Sequence, residues 1–275
     1  MILQNPPFQL DQTWGVFPSK ACRMDRRCSY SVYVPSSLVS APALPHQLIV
    51  LVHGTDRRPE QLRDLYLPLA EELGCVLLAP FFPAALTDDE ETHNYIFLHY
   101  REIRFDEILL SMVEEAREKF NLSMGKFWLA GFSGGAQFAN RFAYLHASRI
   151  AGVSIAAPGM ITLLDMEQPW FSGIGGVEGK LGKAVDWVGL RELTVHVAVG
   201  ANDTRPEVTI PQASPLYCPR INDSGNTRVD RARKLHEMLV EAGIKSQLDE
   251  VPDADHLPGD LMPAVAAYFR RAFKF

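Results

Sequence analysis

The chain has 275 residues, of which 47% are hydrophobic and 22% are charged, a balance typical of a soluble globular protein. No apolar run approaches the roughly 20 residues that a membrane span needs, and the formal net charge of -6 is unlike the basic surface of a nucleic-acid-binding protein. We therefore expect neither a membrane nor a nucleic acid as a partner.

The N-terminal segment and the cysteines favour a cytoplasmic location. Residues 1–15, MILQNPPFQLDQTWG, lack the basic and continuous apolar regions of a secretory signal. The four cysteines have no CxxC spacing and are too sparse for a disulfide scaffold or a zinc site. We expect reduced thiols and no metal at Cys22, Cys28, Cys75 and Cys218.

Short apolar runs and helical patterns alternate along the first part of the chain. The alternating segment SYSVYV predicts a strand over 29–34, and QLIVLVHG predicts a strand over 47–54 that is buried on both faces. A helix is predicted over 59–73, in which Pro68 predicts a kink or a split. A second buried strand is predicted over 75–80.

The alternation continues to the C-terminus and predicts one α/β domain over 1–275 with a mostly parallel, doubly wound sheet flanked by helices. Two segments break this alternation, 158–190 and 205–226, and long inserts of this kind are usually lids or binding loops. The remaining predicted elements are helices over 104–120, 136–146, 229–243 and 260–273 and strands over 126–131, 150–157, 193–200 and 245–252.

Ser133 lies where a predicted strand meets a predicted helix, in the sequence FWLAGFSGGAQFANRFAYL. So tight a turn needs residues without bulk two positions before and after the serine, and Gly131 and Gly135 meet that need. The start of the helix offers unpaired backbone N–H groups, one of them from Gly134, to developing negative charge. Ser133 is therefore a candidate nucleophile, and the alternative is an ordinary turn residue.

A serine nucleophile needs a base, and the base needs an acid that orients it. His256 follows the last predicted strand and is the candidate base. Asp203 lies three residues after the strand over 193–200 and is the candidate acid. Asp253 and Asp255 are alternatives, although they lie too close to His256 in sequence to approach its ring from the usual side.

The order Ser133, Asp203, His256, with each residue after a successive strand, resembles the α/β-hydrolase fold over nearly the whole chain. The resemblance implies a cofactor-independent serine hydrolase with a Gly-x-Ser-x-Gly nucleophile elbow. It also implies an oxyanion hole that combines the N–H of Gly134 with that of Thr55 in the segment LVHGTD. The histidine of that segment is expected to be structural.

In this fold, caps over the active site commonly leave the chain at the position of the 158–190 insert, so the resemblance makes this insert a candidate cap or lid. Ligand pockets are mostly apolar, and a small apolar or aromatic molecule is the expected partner. Arg57 and Arg58 are interpreted either as surface charge or as contacts to an anionic substrate. The candidate wall residues, for which a satellite core is the alternative, are Trp170, Phe171, Trp187, Phe81 and Phe82.

Together these features predict an enzyme that cleaves a carboxylic ester or lactone through an acyl-enzyme intermediate. An amidase and a carbon–carbon bond hydrolase use the same three residues and remain alternatives. A ligand receptor that has lost the chemistry is a further alternative, from a different class. The sequence indicates neither the substrate nor the oligomeric state.

Overall fold

The computed structural model describes residues 13–40, 46–87, 89, 91–120, 122 and 125–273. Within them, eight strands form one sheet and two short strands form a separate hairpin. In chain order the strands are β1 (Gly15–Ala21), β2 (Ser29–Val34), β3 (Leu48–Val52), β4 (Val76–Phe81), β5 (His99–Tyr100), β6 (Ile103–Arg104), β7 (Phe127–Phe132), β8 (Ile150–Ala156), β9 (Thr194–Gly200) and β10 (Lys245–Val251).

The α-helices of the described residues lie between these strands in the chain, except for the last, which follows β10. In chain order they are α1 (Ser37–Ser40), α2 (Pro59–Leu73), α3 (Phe105–Phe120), α4 (Gly134–His146), α5 (Val177–Leu181), α6 (Trp187–Glu192), α7 (Arg228–Glu241) and α8 (Pro258–Ala272). None of the helices in the described part of the chain combines the length and apolar character that crossing a membrane requires.

The large sheet has the order β1-β2-β4-β3-β7-β8-β9-β10, and the six strands from β4 to β10 are parallel. The fold-class prediction is therefore confirmed. Helices cover both faces of the sheet, which explains why every residue of β3 is apolar and buried. Alternate residues of β3 belong to two cores: Val50 and Val52 pack with α3 and α4, whereas Ile49 and Leu51 pack with α2 and α8.

The structure differs from the sequence-based expectation in two local features. Strand β1 was not predicted, because Pro18 and a register shift between Phe17 and Lys20 interrupt its alternation and most of its residues are exposed. Helix α2 runs without a break through Pro68, so the predicted split does not occur. The helix ends at Gly74, which adopts a φ of 61° that suits glycine.

The segment over 158–190 contains α5 and the start of α6 and is otherwise irregular. Its chain folds back on itself through isolated bridges that pair Leu163 with Gly173 and Pro169 with Gly175. The second insert, over 205–226, contains two short 3-10 turns. A lid function for the first insert stays a prediction.

Candidate active site

Ser133 occupies a strained turn between β7 and α4. Its φ of 54° and ψ of -111° are rare for a residue with a side chain, and such strain persists only where the surroundings enforce it. The flanking glycines make this possible, because a Cβ on Gly131 would lie 2.1 Å from the carbonyl oxygen of Gly135. A Cβ on Gly135 would lie 2.0 Å from the carbonyl oxygen of Val52 in β3. Strand and helix therefore approach to a distance that only glycine permits.

The structure brings the three predicted residues together in one hydrogen-bonded chain. His256 Nε2 lies 3.0 Å from Ser133 Oγ, and His256 Nδ1 lies 2.7 Å from Asp203 Oδ2. With Asp203 ionised, Nδ1–H donates to the carboxylate, which leaves Nε2 as the acceptor for the serine hydroxyl. The Asp203 side chain is fully buried, whereas 20% of the His256 side chain is exposed. The imidazole thus has one edge fixed in the protein and one edge beside the serine.

The Asp203 carboxylate is held in its ionised form. Burial raises its pKa, but the hydrogen bond and charge of His256 and the charge of Arg228 outweigh burial, so the pKa lies below its usual value. Arg228 Nη1 donates to Asp203 Oδ1 at 3.2 Å. Arg205 Nη2 lies 3.7 Å from the same oxygen. One carboxylate oxygen therefore faces the histidine while the other faces two cations.

The alternative acids do not reach the histidine ring. Asp255 Oδ1 accepts a hydrogen bond from the backbone N–H of His256 at 2.7 Å, and its other oxygen accepts from Arg205 Nη1 at 2.7 Å. Asp253 lies in a turn with a φ of 60°. Of the three candidates, the structure therefore brings only Asp203 to the imidazole.

Two backbone N–H groups border the space beside Ser133. A Cβ on Gly134 would lie 3.0 Å from the backbone nitrogen of Thr55, which shows how closely the two residues approach. Among the described residues, neither N–H donates to a protein acceptor. Gly134 is the first residue of α4, where N–H groups have no partner within the helix. This is the arrangement expected of an oxyanion hole.

His53 fixes the loop that carries Thr55. Its Nδ1–H donates to the carbonyl of Gly54 at 2.7 Å, and its Nε2 accepts from the backbone N–H of Phe82 at 3.1 Å. Burial lowers the pKa of His53 to about 4, so the ring is neutral. The Tyr95 hydroxyl donates to the His53 carbonyl at 2.9 Å. The structural role expected for this histidine agrees with these contacts.

Arg57 and Arg58 have different environments. Arg57 donates to the carbonyls of Phe82 and Thr55 at 2.9 and 3.0 Å and so ties the Thr55 loop to the chain after β4. Arg58 is exposed and lies 3.8 Å from Asp56. The Arg57 guanidinium is therefore occupied by backbone acceptors, whereas the Arg58 side chain lies at the surface.

A small polar cavity of about 150 Å³ opens beside Ser133. Polar side chains in its lining include Gln137, Glu207 and Arg228, which were not predicted from the sequence. Gln137 lies one helical turn after Ser133, a spacing that places it at the same end of α4. The full lining is Thr55, His93, Ser133, Gln137, Gly159, Met160, Glu207, Val208, Ile210 and Arg228.

The structure does not bring the five predicted aromatic residues to this cavity. Trp170 is 6% exposed and belongs to the main core, and Phe82 is fully buried. The Phe171 ring packs 4.4 Å from another phenylalanine, Phe97. Phe81 and Trp187 are partly buried. None of the five predicted residues belongs to the cavity lining given above: Trp170, Phe171, Trp187, Phe81 and Phe82.

A second, more apolar groove of about 350 Å³ lies near the Ser133–His256 pair. Phe132 and Leu257, which are the chain neighbours of the serine and the histidine, both line it. Leu65 and Leu257 are exposed apolar side chains in its wall. Charged residues at its rim are Asp56, Arg58 and Asp260.

A second Ser–His–Asp chain runs across the neighbouring strands β8, β9 and β10. Ser154 Oγ lies 2.9 Å from His196 Nδ1, and His196 Nε2 lies 3.0 Å from Asp249 Oδ2. Ser154 and His196 are inside strands β8 and β9 and are buried, and Tyr268 stacks on the histidine ring. This chain has neither a strained turn nor a helix N-terminus beside its serine. The residue types alone therefore do not identify a nucleophile.

Asp106, Glu107 and His146 lie close enough to be considered as metal ligands. Two cations already contact this group, since Arg104 Nη2 lies 2.7 Å from Asp106 and Lys183 Nζ lies 3.0 Å from His146. Burial raises the Asp106 pKa, but hydrogen bonds from His146 and Arg104 outweigh it and lower the pKa to about 2. The cluster is an ion-pair network that joins α3, α4 and the 158–190 insert.

No family model and no curated protein matches the chain, but solved structures do. Poly(aspartic acid) hydrolase-1 from Sphingomonas sp. KT-1 is 19% identical with a TM-score of 0.69, over 87% of this chain and 92% of that one. A poly(3-hydroxybutyrate) depolymerase from Bordetella parapertussis is 20% identical with a TM-score of 0.69, over 88% and 83%.

An S-formylglutathione hydrolase from Agrobacterium tumefaciens is 16% identical with a TM-score of 0.60 and covers 94% of both chains. These three hydrolases share the sheet architecture of this chain along most of their lengths. At such identities the similarity establishes the fold, and it agrees with the strand order and the elbow described above. The chain therefore has the α/β-hydrolase fold.

Proposed function

We propose that the protein is a serine hydrolase that cleaves a carboxylic ester, or a lactone, through an acyl-enzyme intermediate. The hydrogen-bonded chain from Ser133 Oγ through His256 to the buried Asp203, at a strained elbow, carries this proposal. Its structural neighbours support it, since they include a depolymerase, an S-formylglutathione hydrolase and a ferulic acid esterase.

In the proposed reaction, Ser133 Oγ attacks the ester carbonyl while His256 Nε2 accepts its proton. His256 then gives this proton to the leaving alcohol oxygen, and the acyl group stays on the serine. A water molecule, deprotonated by the same nitrogen, hydrolyses the acyl-enzyme. Asp203 keeps the imidazole in the required tautomer and stabilises its charged form.

The N–H groups of Gly134 and Thr55 stabilise the oxyanion of the tetrahedral intermediate. In enzymes of this mechanism, the loss of one such donor typically costs about 3 kcal/mol of transition-state stabilisation. The Thr55 donor depends on the loop contacts of Arg57 and His53. These residues therefore position the oxyanion hole without contacting the substrate.

The small cavity beside Ser133 and the groove beside its chain neighbour Phe132 suit the two halves of an ester. The cavity of about 150 Å³ holds the acyl group, and the apolar groove of about 350 Å³ holds the alcohol. An apolar or aromatic alcohol fits the groove best, because Leu65, Phe132 and Leu257 line it. A cytoplasmic location is part of the proposal, and the unpaired state of Cys22, Cys28, Cys75 and Cys218 supports it.

Turnover of p-nitrophenyl acetate, with inhibition by a fluorophosphonate, tests the proposed function. An enzyme releases p-nitrophenol with saturation kinetics, and the inhibitor labels Ser133 and stops the release. A ligand receptor of the same fold would bind small molecules without either result. Absence of both turnover and labelling would contradict the proposal.

We expect the Asp203→Asn substitution to lower kcat on the order of 10⁴-fold, because the amide no longer holds the His256 imidazole in the required tautomer. Asp255→Asn is the matched control, since Asp255 contacts the backbone of His256 but not its ring. We expect that control to keep most of the activity. Steady-state kinetics on p-nitrophenyl acetate checks both, and a silent Asp203→Asn beside an inactive Asp255→Asn would identify Asp255 as the acid.

A further inference from the structure

We propose that the small cavity beside Ser133 binds a carboxylate on the acyl half of the substrate, with Arg228 as its direct contact. This inference rests on the proposed function, because it identifies the acyl groups that Ser133 accepts. It makes the preferred substrates half-esters of short dicarboxylic acids, or larger molecules that carry the same group.

Arg228 lines the cavity and carries hydrogen-bonding groups that no described residue uses. Its side chain is 12% exposed, and Nη1 is shared between Asp203 at 3.2 Å and Glu207 at 3.0 Å. Nε is buried and has no partner among the described residues, and no hydrogen bond within the described chain involves Nη2. The edge formed by Nε and Nη2 matches the two oxygens of a carboxylate. A buried guanidinium N–H without an acceptor is costly, so a ligand oxygen is its natural partner.

Three further arginines stabilise the backbone of residues that line the cavity. Each donates to the backbone carbonyl of a lining residue, and none forms an ion pair with a carboxylate within the described part of the chain. Arg141 is fully buried, and Arg231 is also fully buried. The bonds run from Arg57 to Thr55, from Arg141 to Met160 and from Arg231 to Gly159.

The charges around the cavity favour an anion. Asp203 and Glu207 share Arg228, and Glu91 accepts from the backbone of the lining residue His93. Arg57, Arg141 and Arg231 bond backbone carbonyls and have no ion-pair partner among the described residues. Arg205 pairs with Asp255. Because buried charges act through a low dielectric constant, these cations attract an anionic acyl group more strongly than a neutral one.

The size of the cavity limits the acyl group. Its volume is about 150 Å³, a space that in other proteins admits a molecule the size of benzene. A succinyl group is of this size and extends its carboxylate two methylene groups beyond the carbonyl that Ser133 attacks.

Two methyl esters of matched shape test the proposal. Monomethyl succinate carries a carboxylate where methyl levulinate carries an acetyl group, so the ratio of their kcat/KM values, measured by methanol release, reports the carboxylate contact. We expect the wild-type ratio to favour succinate, and Arg228→Gln to lower it on the order of 10- to 100-fold. Glu207→Gln should raise the ratio because it removes the competing anion.

Arg205→Gln is the matched control. Arg205 also lies near Asp203 and Glu207, at 3.7 and 3.6 Å, but it does not line the cavity. Its loss can lower the rate with both esters through Asp203, and it should leave their ratio unchanged. If Arg228→Gln lowers kcat/KM equally for both esters, the proposed carboxylate contact is wrong. Arg228 would then act only by positioning Asp203.

Binding to Ser133→Ala separates this inference from the proposed function. In the Ser133→Ala protein, calorimetry should detect tighter binding of monomethyl succinate than of methyl levulinate. A double variant that also carries Arg228→Gln should bind the two esters equally. A double variant that carries Arg205→Gln instead should keep the difference. This result would support the anion site even if the wild-type protein hydrolysed no ester. Equal binding of the two esters would overturn the site, whatever the activity of Ser133.

Discussion

The Ser133→Ala protein is expected to lose covalent labelling by a fluorophosphonate and to retain no more than about 10⁻⁴ of the wild-type kcat. Alanine removes the atom that forms the acyl-enzyme, while the small side chain leaves the elbow and its glycines in place. Because the residues of such a chain act as a unit, His256→Ala should cause a similar loss. Active-site labelling followed by peptide mass analysis, together with p-nitrophenyl acetate kinetics, measures both effects.

The protein contains its own control for this experiment. Ser154 also hydrogen-bonds a histidine, His196, which in turn contacts Asp249. Ser154→Ala should keep both labelling and turnover, since Ser154 is buried within a strand and has no oxyanion site beside it. Label that persists in Ser133→Ala would show that the nucleophile lies elsewhere.

The Gly135→Ala protein should be destabilised by more than about 3 kcal/mol, beyond the usual cost of an extra methyl group in a packed core. The new Cβ would meet the carbonyl oxygens of Val52 and His53 at 2.0 and 2.6 Å, and both are backbone atoms that cannot turn away. Strand β3 and helix α4 would have to separate, and Thr55, on the loop after β3, would move with them. Thermal unfolding should show the loss of stability, and kcat should fall as well.

Gly259→Ala is the control for this prediction. Gly259 lies in the first turn of α8, and a Cβ there would meet no atom within 4 Å. Alanine is a better helix former than glycine, so the change in unfolding free energy should be within about 1 kcal/mol of zero. Equal stability of Gly135→Ala and the wild type would contradict the close approach of β3 and α4.

The sheet and the hydrogen-bonded chain of Ser133, His256 and Asp203 could both be predicted from the sequence, for a physical reason. Buried parallel strands need continuous apolar runs, and their carboxyl ends meet at one edge, so residues that follow them come together. Ser133 and Asp203 follow such strands, and His256 follows β10, a more polar and partly exposed strand at the edge of the same parallel sheet. Asp255 was set aside for a different reason, since a residue next to His256 in the chain reaches its backbone more easily than its ring.

The shape of the cavity could not be predicted in this way. Aromatic residues in an irregular segment can either line a pocket or fill a core, and only the packing decides between these roles. Trp170 packs in the main core, whereas the polar side chains of Gln137 and Arg228 line the cavity instead. Arg228 follows a long irregular segment, so its distance from Asp203 depends on a path that periodicity does not encode.

The two sides of the small cavity are held by different kinds of interaction. Glu207 forms ion pairs with Arg228 at 3.0 Å and with Arg205 at 3.6 Å, and the Arg205 side chain is 45% exposed whereas that of Arg228 is 12% exposed. The backbone at Met160 and Gly159 is held instead by buried arginines that bond its neutral carbonyls. Dissolved ions screen exposed charge pairs over about 10 Å but hardly reach buried ones. High ionic strength therefore weakens the contact of Arg205 with Glu207 first, while the elbow and the sheet keep their geometry.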